Sequence, residues 1–288
     1  MVFAVMGGDE RQSRLASQLA RDGHEVRVFA LEVAVLPNQI EHSEGAAEAT
    51  RGADCVILPL PVSVKRGYLN APLSTEAHCL GEVFGSLSPG TPVCAGMPDA
   101  DTRSLARSSS AELYDYYAAR RVVLLVQNAV ATAEGAIGVL LKETAETIWG
   151  RRILLIGWGH IGKALAPRLR ALGAEVLVSA RNAGDLAWIA AEGFTPLDTR
   201  ALGGCLDDVD IVVNTVPARI LGMQLLSELP GGALVVDLAS RPGGVDQEAA
   251  RVLGLRTLWA QGLPGKWAPE TAAAAIREAV YNILGERE

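Results

Sequence analysis

The sequence predicts an α/β protein made of two doubly wound domains, each around a mostly parallel sheet. Two observations lead there and a third permits it. The order of features in the first half recurs in the second. In the middle, Arg151-Arg152 opens an apolar run, Ile153 to Ile156, that passes straight into Gly157-Trp158-Gly159-His160-Ile161-Gly162, and a helical pattern follows from Lys163 to Leu172. The chain's 288 residues are enough for two cores, burying roughly 75% of the unfolded surface.

Taken in order, Met1 to Met6 reads as a first strand and Gly7-Gly8-Asp9 as its turn. Gly23 to Ala30 echoes Gly173 to Ala180, and Asp54 to Pro61 echoes Asp210 to Pro217. In both halves an Asp opens a buried strand and a proline-bearing loop leaves its end. Val122 to Val126 is expected to be a strand, followed by a connecting helix over Ala131 to Ile148 with Ile137, Leu140, Leu141, Ala145 and Ile148 in helical register. Ala272, Ile276, Val280 and Leu284 form the apolar stripe of a last helix from Pro269, which is expected to pack back on the first domain. The expected division is 1–130 and 131–268, with 269–288 joining the first domain. Both domains are Rossmann-like, and ligands of such sheets bind beyond the carboxyl ends of the strands. The substrate is therefore expected in a cleft between the domains.

The central turn carries the chemistry. A dinucleotide pyrophosphate needs a tight turn, a close backbone approach and a helix N-terminus aimed at it, which Gly157, Trp158, Gly159, His160, Ile161 and Gly162 are spaced to provide. An acidic residue about 20 residues on holds the ribose hydroxyls in the usual NAD pattern. Here the next strand ends in Ser179-Ala180-Arg181. A hydroxyl and a guanidinium suit the extra phosphate of NADP, with NAD as the alternative.

Composition narrows the partners. A net charge of -7 without a basic run argues against nucleic acid. The longest apolar candidate, Val122 to Leu141, is interrupted by Gln127, Asn128, Thr132 and Glu134, so no membrane span is expected. The N-terminus lacks a signal-peptide layout. Cys55, Cys79, Cys94 and Cys205 are scattered, which fits reduced thiols in the cytoplasm, and the four histidines lack metal-ligand spacing, so no metal is expected.

Further candidates stand where strands end. Asn214-Thr215-Val216-Pro217 offers Thr215, Val216 and Pro217 to the nicotinamide side of the coenzyme. After Leu234 to Asp237, Ser240 and Arg241 precede a Pro-Gly-Gly turn, with Asp246 as a helix cap. The segment Gln261 to Pro269 reads as a rigid loop presenting Lys266, either to a carboxylate or to solvent. Asp9 and Arg11 sit at a helix start, as an anion site or a surface ion pair. Asn128, Thr132 and Glu134 lie at the domain crossing, where Thr132 also suits an N-cap.

Together, Gly7-Gly8-Asp9-Glu10-Arg11, Asn128 to Gly135, Asn214 to Pro217, Asp237 to Asp246 and Gly262 to Lys266 resemble the A subunit of dipicolinate synthase over nearly the whole length. The resemblance implies oxidation of a dihydrodipicolinate-type precursor to dipicolinate (pyridine-2,6-dicarboxylate) in sporulation. It also implies a nicotinamide coenzyme and a separate flavoprotein-like B subunit, and it leaves a homo-oligomer open. A small dianion needs cations, for which Arg11, Arg241 and Lys266 are candidates, with Asp9, Asn128 and Thr132 beside them. Asp237 or Glu134 is the candidate base, and Lys266 a further catalytic candidate. The second half also resembles D-2-hydroxyacid dehydrogenases, but their catalytic imidazole has no counterpart in Leu263-Pro264-Gly265-Lys266. A nucleotide-binding scaffold for a partner protein is the non-catalytic alternative.

Overall fold

The computed structural model describes residues 1–118 and 122–286. The chain divides into two compact units, Met1–Asn128 with Pro264–Glu288, and Ala129–Leu263. The first unit runs β1 (Val2–Met6), α1 (Glu10–Arg21), β2 (Glu25–Phe29), β3 (Glu41–His42), α2 (Ala46–Thr50), β4 (Cys55–Ile57), α3 (Leu80–Gly85), β5 (Pro92–Ala95), α4 (Ala100–Ser108) and β6 (Glu112–Asp115). Helix α5 (Val122–Glu143) leads into the second unit: β7 (Arg152–Ile156), α6 (His160–Ala171), β8 (Glu175–Ala180), α7 (Ala183–Ala191), β9 (Thr195–Asp198), β10 (Ile211–Asn214), α8 (Met223–Leu226), β11 (Leu234–Asp237), α9 (Gln247–Val252) and β12 (Arg256–Trp259). Short α10 (Leu263–Trp267) precedes α11 (Pro269–Gly285), which belongs to the first unit; residues 287–288 of the expected terminal helix lie outside the described residues.

Each unit holds one six-stranded sheet, ordered β3-β2-β1-β4-β5-β6 and β12-β11-β10-β7-β8-β9, the same arrangement read from opposite edges. All the pairings are parallel. This is the doubly wound order whose direction reverses between the first and fourth strands.

Successive residues of a strand face opposite ways, so a sheet covered on both faces needs apolar residues throughout. In β1, Phe3 and Val5 join the cluster with α1 and α11, while Ala4 and Met6 join the cluster on the other face. In β7, Ile153 and Leu155 pack with Ala133, Ala136 and Leu140 of α5, and Leu154 and Ile156 face the other way. The expected stripe of α11 is largely buried at Ala272, Ile276 and Val280, and α11 packs on α1, where Gln18 Nε2 donates to the Glu270 carbonyl at 3.0 Å.

The repeat seen in the sequence is repeated in the hydrogen bonds. Val2 N donates to Asp54 Oδ2 at 2.7 Å, and Arg152 N to Asp210 Oδ2 at 2.8 Å. Each aspartate ties the start of a central strand to the start of its neighbour.

Three expectations are corrected by α5. Val122 to Val126 is the opening of helix α5, not a strand, and that helix ends at Glu143 instead of Ile148. A short run of valines and leucines does not distinguish a buried strand from a helix by periodicity. Residue Thr132 is consequently inside the helix, not at an N-cap. Helix α5 is long and apolar enough to cross a membrane, yet its inner face is part of the core.

Candidate functional site

The turn Gly157–Gly162 joins the carboxyl end of β7 to α6. Gly157 has φ 106 and its N–H bonds the Ser179 carbonyl at 2.9 Å. A Cβ there would lie 2.4 Å from Thr215 Oγ1 and 2.8 Å from Val216 Cγ2. The β10 exit therefore lies against the turn, and Thr215 Oγ1 donates to the Ile156 carbonyl at 2.9 Å. A Cβ on Gly162 would lie 2.1 Å from the Gly157 carbonyl oxygen, so only glycine lets the helix start this close to the turn. Gly159 differs: among the described residues nothing stands within 4 Å of a Cβ built on it. It is the N-cap of α6 and offers no side-chain capping bond. The first N–H groups of a helix have no partner within it and favour an anion. These residues fit a dinucleotide pyrophosphate.

Trp158 supplies only backbone to this turn. Its ring is 5% exposed and meets Phe194 edge to face, with centroids 5.9 Å apart. His160 is exposed and Ile161 half-buried at the helix start. At the end of β8, Arg181 is exposed. Ser179 is a correction: its side chain lies inside the fold and accepts from Thr199 Oγ1 at 3.0 Å. Every residue of β8 after Glu175 is buried, so the hydroxyl never reaches the rim where a phosphate would sit. In the same corner, hydrogen bonds from the Arg200 side chain and backbone hold Asp198 down to about 2.

The exits of β10 and β11 are pinned together by one buried carboxylate. Asp237 is 1% exposed and accepts from Asn214 Nδ2 (2.8 Å), Ala239 N (3.0 Å) and Gly244 N (2.8 Å). Asn214 also binds the Val216 backbone from both ends of its amide. With three N–H donors on a carboxylate removed from solvent, Asp237 holds two loops in place; this replaces the role of base considered for it. Gly243 and Gly244 are needed here, because a Cβ would lie 2.8 Å from Asp237 Oδ2 at the first and 2.3 Å from Asn214 Nδ2 at the second. Pro217, Ser240 and Arg241 are exposed beyond these anchors. The Arg241 guanidinium stands over the Trp259 ring, 5.6 Å from its centroid. Asp246 caps α9 as expected, accepting from Ala249 N at 3.1 Å. Glu134 is an exposed residue of α5, 3.6 Å from Arg168 in an ion pair.

In the first unit, Asp9 and Arg11 serve each other. Asp9 caps α1 through Arg11 N, and it accepts from Arg11 Nε and Nη2, both at 2.8 Å. Nη2 also reaches the Leu60 carbonyl at 2.5 Å. Burial pulls the Arg11 charge down, but Asp9 outweighs it and holds the guanidinium above its ordinary range. Gly265 of α10 fits against Asp9, whose Oδ2 would be 2.7 Å from an added Cβ. Lys266, next in α10, is exposed. The rigid loop expected around it is thus a short helix. Asn128 Nδ2 donates to Tyr117 Oη at 3.1 Å, and burial pushes the Tyr117 phenol up. Thr132 is 7% exposed.

Sequence reasoning singled out neither Tyr117 nor Trp259. Trp259 carried one signal, an aromatic ring at the end of a strand, and Tyr117, two residues past β6, carried none. Asn214 was visible only as part of its motif.

Comparison with known proteins agrees with this geometry. Residues 2–117 match the N-terminal domain of the dipicolinate synthase A subunit, and residues 118–252 match the NAD binding domain of D-isomer specific 2-hydroxyacid dehydrogenases. The A subunit of dipicolinate synthase from Bacillus subtilis (strain 168) is 31% identical over 99% of this chain and 96% of its own length. The crystal structure of the dipicolinate synthase A subunit from Bacillus halodurans superposes with a TM-score of 0.86 at 28% identity, covering 98% of this chain and 97% of that one. The crystal structure of its Bacillus subtilis counterpart gives 0.84 at 29%, covering 99% and 96%. A likeness of this length, over both units and with an NAD-binding dehydrogenase-like second unit, shows that the chain belongs to the A-subunit family of dipicolinate synthase.

Proposed function

We propose that this chain oxidises a dihydrodipicolinate-type ring dicarboxylate to dipicolinate, with NADP preferred and NAD as second coenzyme. The observation that carries the reading is the turn Gly157–Gly162, with open space over Gly159 and close packing at Gly157 and Gly162. The Bacillus subtilis relative, named as a part of dipicolinate synthase, supplies the substrate class.

When bound, the nicotinamide coenzyme supplies a hydride acceptor. The reacting ring carbon loses hydrogen with its electron pair, a neighbouring position loses a proton to water, and the ring becomes aromatic. Gly157, Gly159, Gly162 and the first turn of α6 would hold the pyrophosphate. Thr215, Val216, Pro217 and Ser240 would serve the nicotinamide end, and exposed Arg181 would meet the 2′-phosphate of NADP. Each unit offers an exposed cation with no hydrogen bond or ion pair among the described residues, Arg241 in one and Lys266 in the other. Either answers a carboxylate. Arg11 keeps Nη1 without a protein hydrogen bond among the described residues, so it too can meet an anion while Asp9 holds it. Because aromaticity drives the step, orientation of the ring against the coenzyme supplies much of the rate. Four free cysteines agree with work in a reducing cytoplasm, beside a flavoprotein-like B subunit.

The test uses freshly prepared dihydrodipicolinate with purified chain and NADP or NAD, following reduced coenzyme and dipicolinate together. Equal formation of both, faster with NADP, is expected. Tight coenzyme binding with no turnover, alone or with the B subunit, sinks the oxidation and leaves a nucleotide-binding scaffold.

A further inference from the structure

Arg241 and Arg11 are held in opposite ways. In Arg11, Nε and Nη2 are taken up by a carboxylate and a carbonyl, which leaves Nη1. Arg241 makes no hydrogen bond or ion pair among the described residues; the contact it has is the Trp259 ring, 5.6 Å from guanidinium carbon to centroid. An aromatic face attracts a guanidinium without using any of its N–H donors. It limits where a long, rotamer-rich side chain can point and leaves the whole fork available for a carboxylate.

The ring itself is fixed on several sides. Trp259 ends β12 in register with Asp237 of β11. Its Nε1–H donates to the Ala239 carbonyl at 2.8 Å, and Gln261 Nε2 reaches the same oxygen at 3.4 Å. Gly243 leaves room for it, since a Cβ there would lie 3.1 Å from Trp259 Cζ2. The indole therefore spans the turn from Ala239 to Gly243, with Arg241 in the middle of that turn. At 37% exposed, the ring remains accessible.

We propose that Trp259 is a positioning residue: its face aims the Arg241 guanidinium so that the free fork binds one carboxylate of a planar ring dicarboxylate. The substrate half of this rests on the proposed function; the aiming half does not. The test compares wild type with Trp259→Leu, Trp259→Phe, Arg241→Ala and the Trp259→Leu/Arg241→Ala double variant. Relaxation of the Arg241 Nε–H signal reads the aiming directly. Calorimetry with dipicolinate and NADP reads the consequence, and steady-state kinetics separates KM from kcat.

Trp259→Leu loosens the Nε–H and weakens dicarboxylate binding and KM about three- to tenfold. NADP affinity and kcat stay close to wild type. Trp259→Phe keeps a ring face and recovers most of both effects, and in the Arg241→Ala background the Trp259→Leu change adds nothing. An Arg241 Nε–H as ordered in Trp259→Leu as in wild type overturns the inference, as do losses that simply add in the double variant. Equal dicarboxylate affinity in wild type and Arg241→Ala sinks the proposed substrate role instead, and the relaxation measurement still decides on Trp259.

Discussion

The turns after β1 and β7 begin on the same plan. Gly7 N bonds the Phe29 carbonyl at 2.8 Å, as Gly157 N bonds Ser179 at 2.9 Å, and both glycines have positive φ, 56 and 106. They diverge in the next residues. In the first unit, Asn70 O takes the Gly8 N–H at 2.8 Å, and Leu69 would stand 2.8 Å from a Cβ on Gly7. Asp9 puts its own carboxylate at the start of α1, and Arg11 neutralises it. Gln12, with its Cγ 2.1 Å from a Cβ built on Gly8, stands where the second unit has Gly162. The second unit keeps all three glycines, has no capping side chain and leaves Gly159 open. One backbone plan thus gives two outcomes, decided by whether the chain supplies its own anion at the helix end or leaves that place for a ligand.

Removing the internal anion is expected to have the largest effect. Asp9→Ala strands a buried guanidinium and costs about 3 kcal/mol of stability, read as a lower denaturant midpoint for the first unit. The NADP affinity of folded protein stays unchanged. A stability change within 0.5 kcal/mol, about the scatter of ordinary surface substitutions, would show that the buried Arg11 does not depend on the Asp9 carboxylate. Next, Gly162→Val forces the turn away from α6, and NADP affinity falls at least about a hundredfold, roughly 2.7 kcal/mol, in calorimetry. Retained affinity would show that the close approach is not what binds coenzyme.

Arg181→Ala sharpens the second unit's specificity. It lowers the preference for NADP over NAD about tenfold, as expected for one charge-assisted contact, and leaves NAD binding near wild type. An unchanged ratio removes Arg181 from the phosphate site. The smallest expected change in stability is at Gly159→Ala, where the new methyl has space. The melting temperature should stay within about a degree, while NADP binds several-fold more weakly because the methyl occupies the pyrophosphate approach. Loss of folding instead would mean that Gly159 is a structural glycine like Gly162.

Legibility followed distance along the chain. The glycine turn and the Asp246 cap were readable because each depends on a spacing of a few residues; Asp54 and Asp210 were readable as strand openers because the same local pattern recurs in both halves, while their bonds to Val2 and Arg152 were not. The Val122–Val126 run misled because five apolar residues satisfy a strand and a helix equally, and only the packing around α5 decides. Ser179 misled for a related reason: in a strand buried on both faces, the last positions carry no sign of which side meets a ligand. Asp237 looked like a candidate base because its three donors come from Asn214, Ala239 and Gly244, and the first belongs to another strand.

By itself, then, the sequence determined two parallel α/β sheets, a dinucleotide turn after β7 and the family. Apolar periodicity and local glycine spacing are enough to direct a backbone. Long-range packing set the rest: Arg11 is held by Asp9 and the Leu60 carbonyl, Leu69 and Asn70 close the first turn, and Arg241 stands over Trp259 with no hydrogen bond or ion pair among the described residues. Those outcomes depend on side chains brought together from distant strands, where burial and competition among donors select one partner among many.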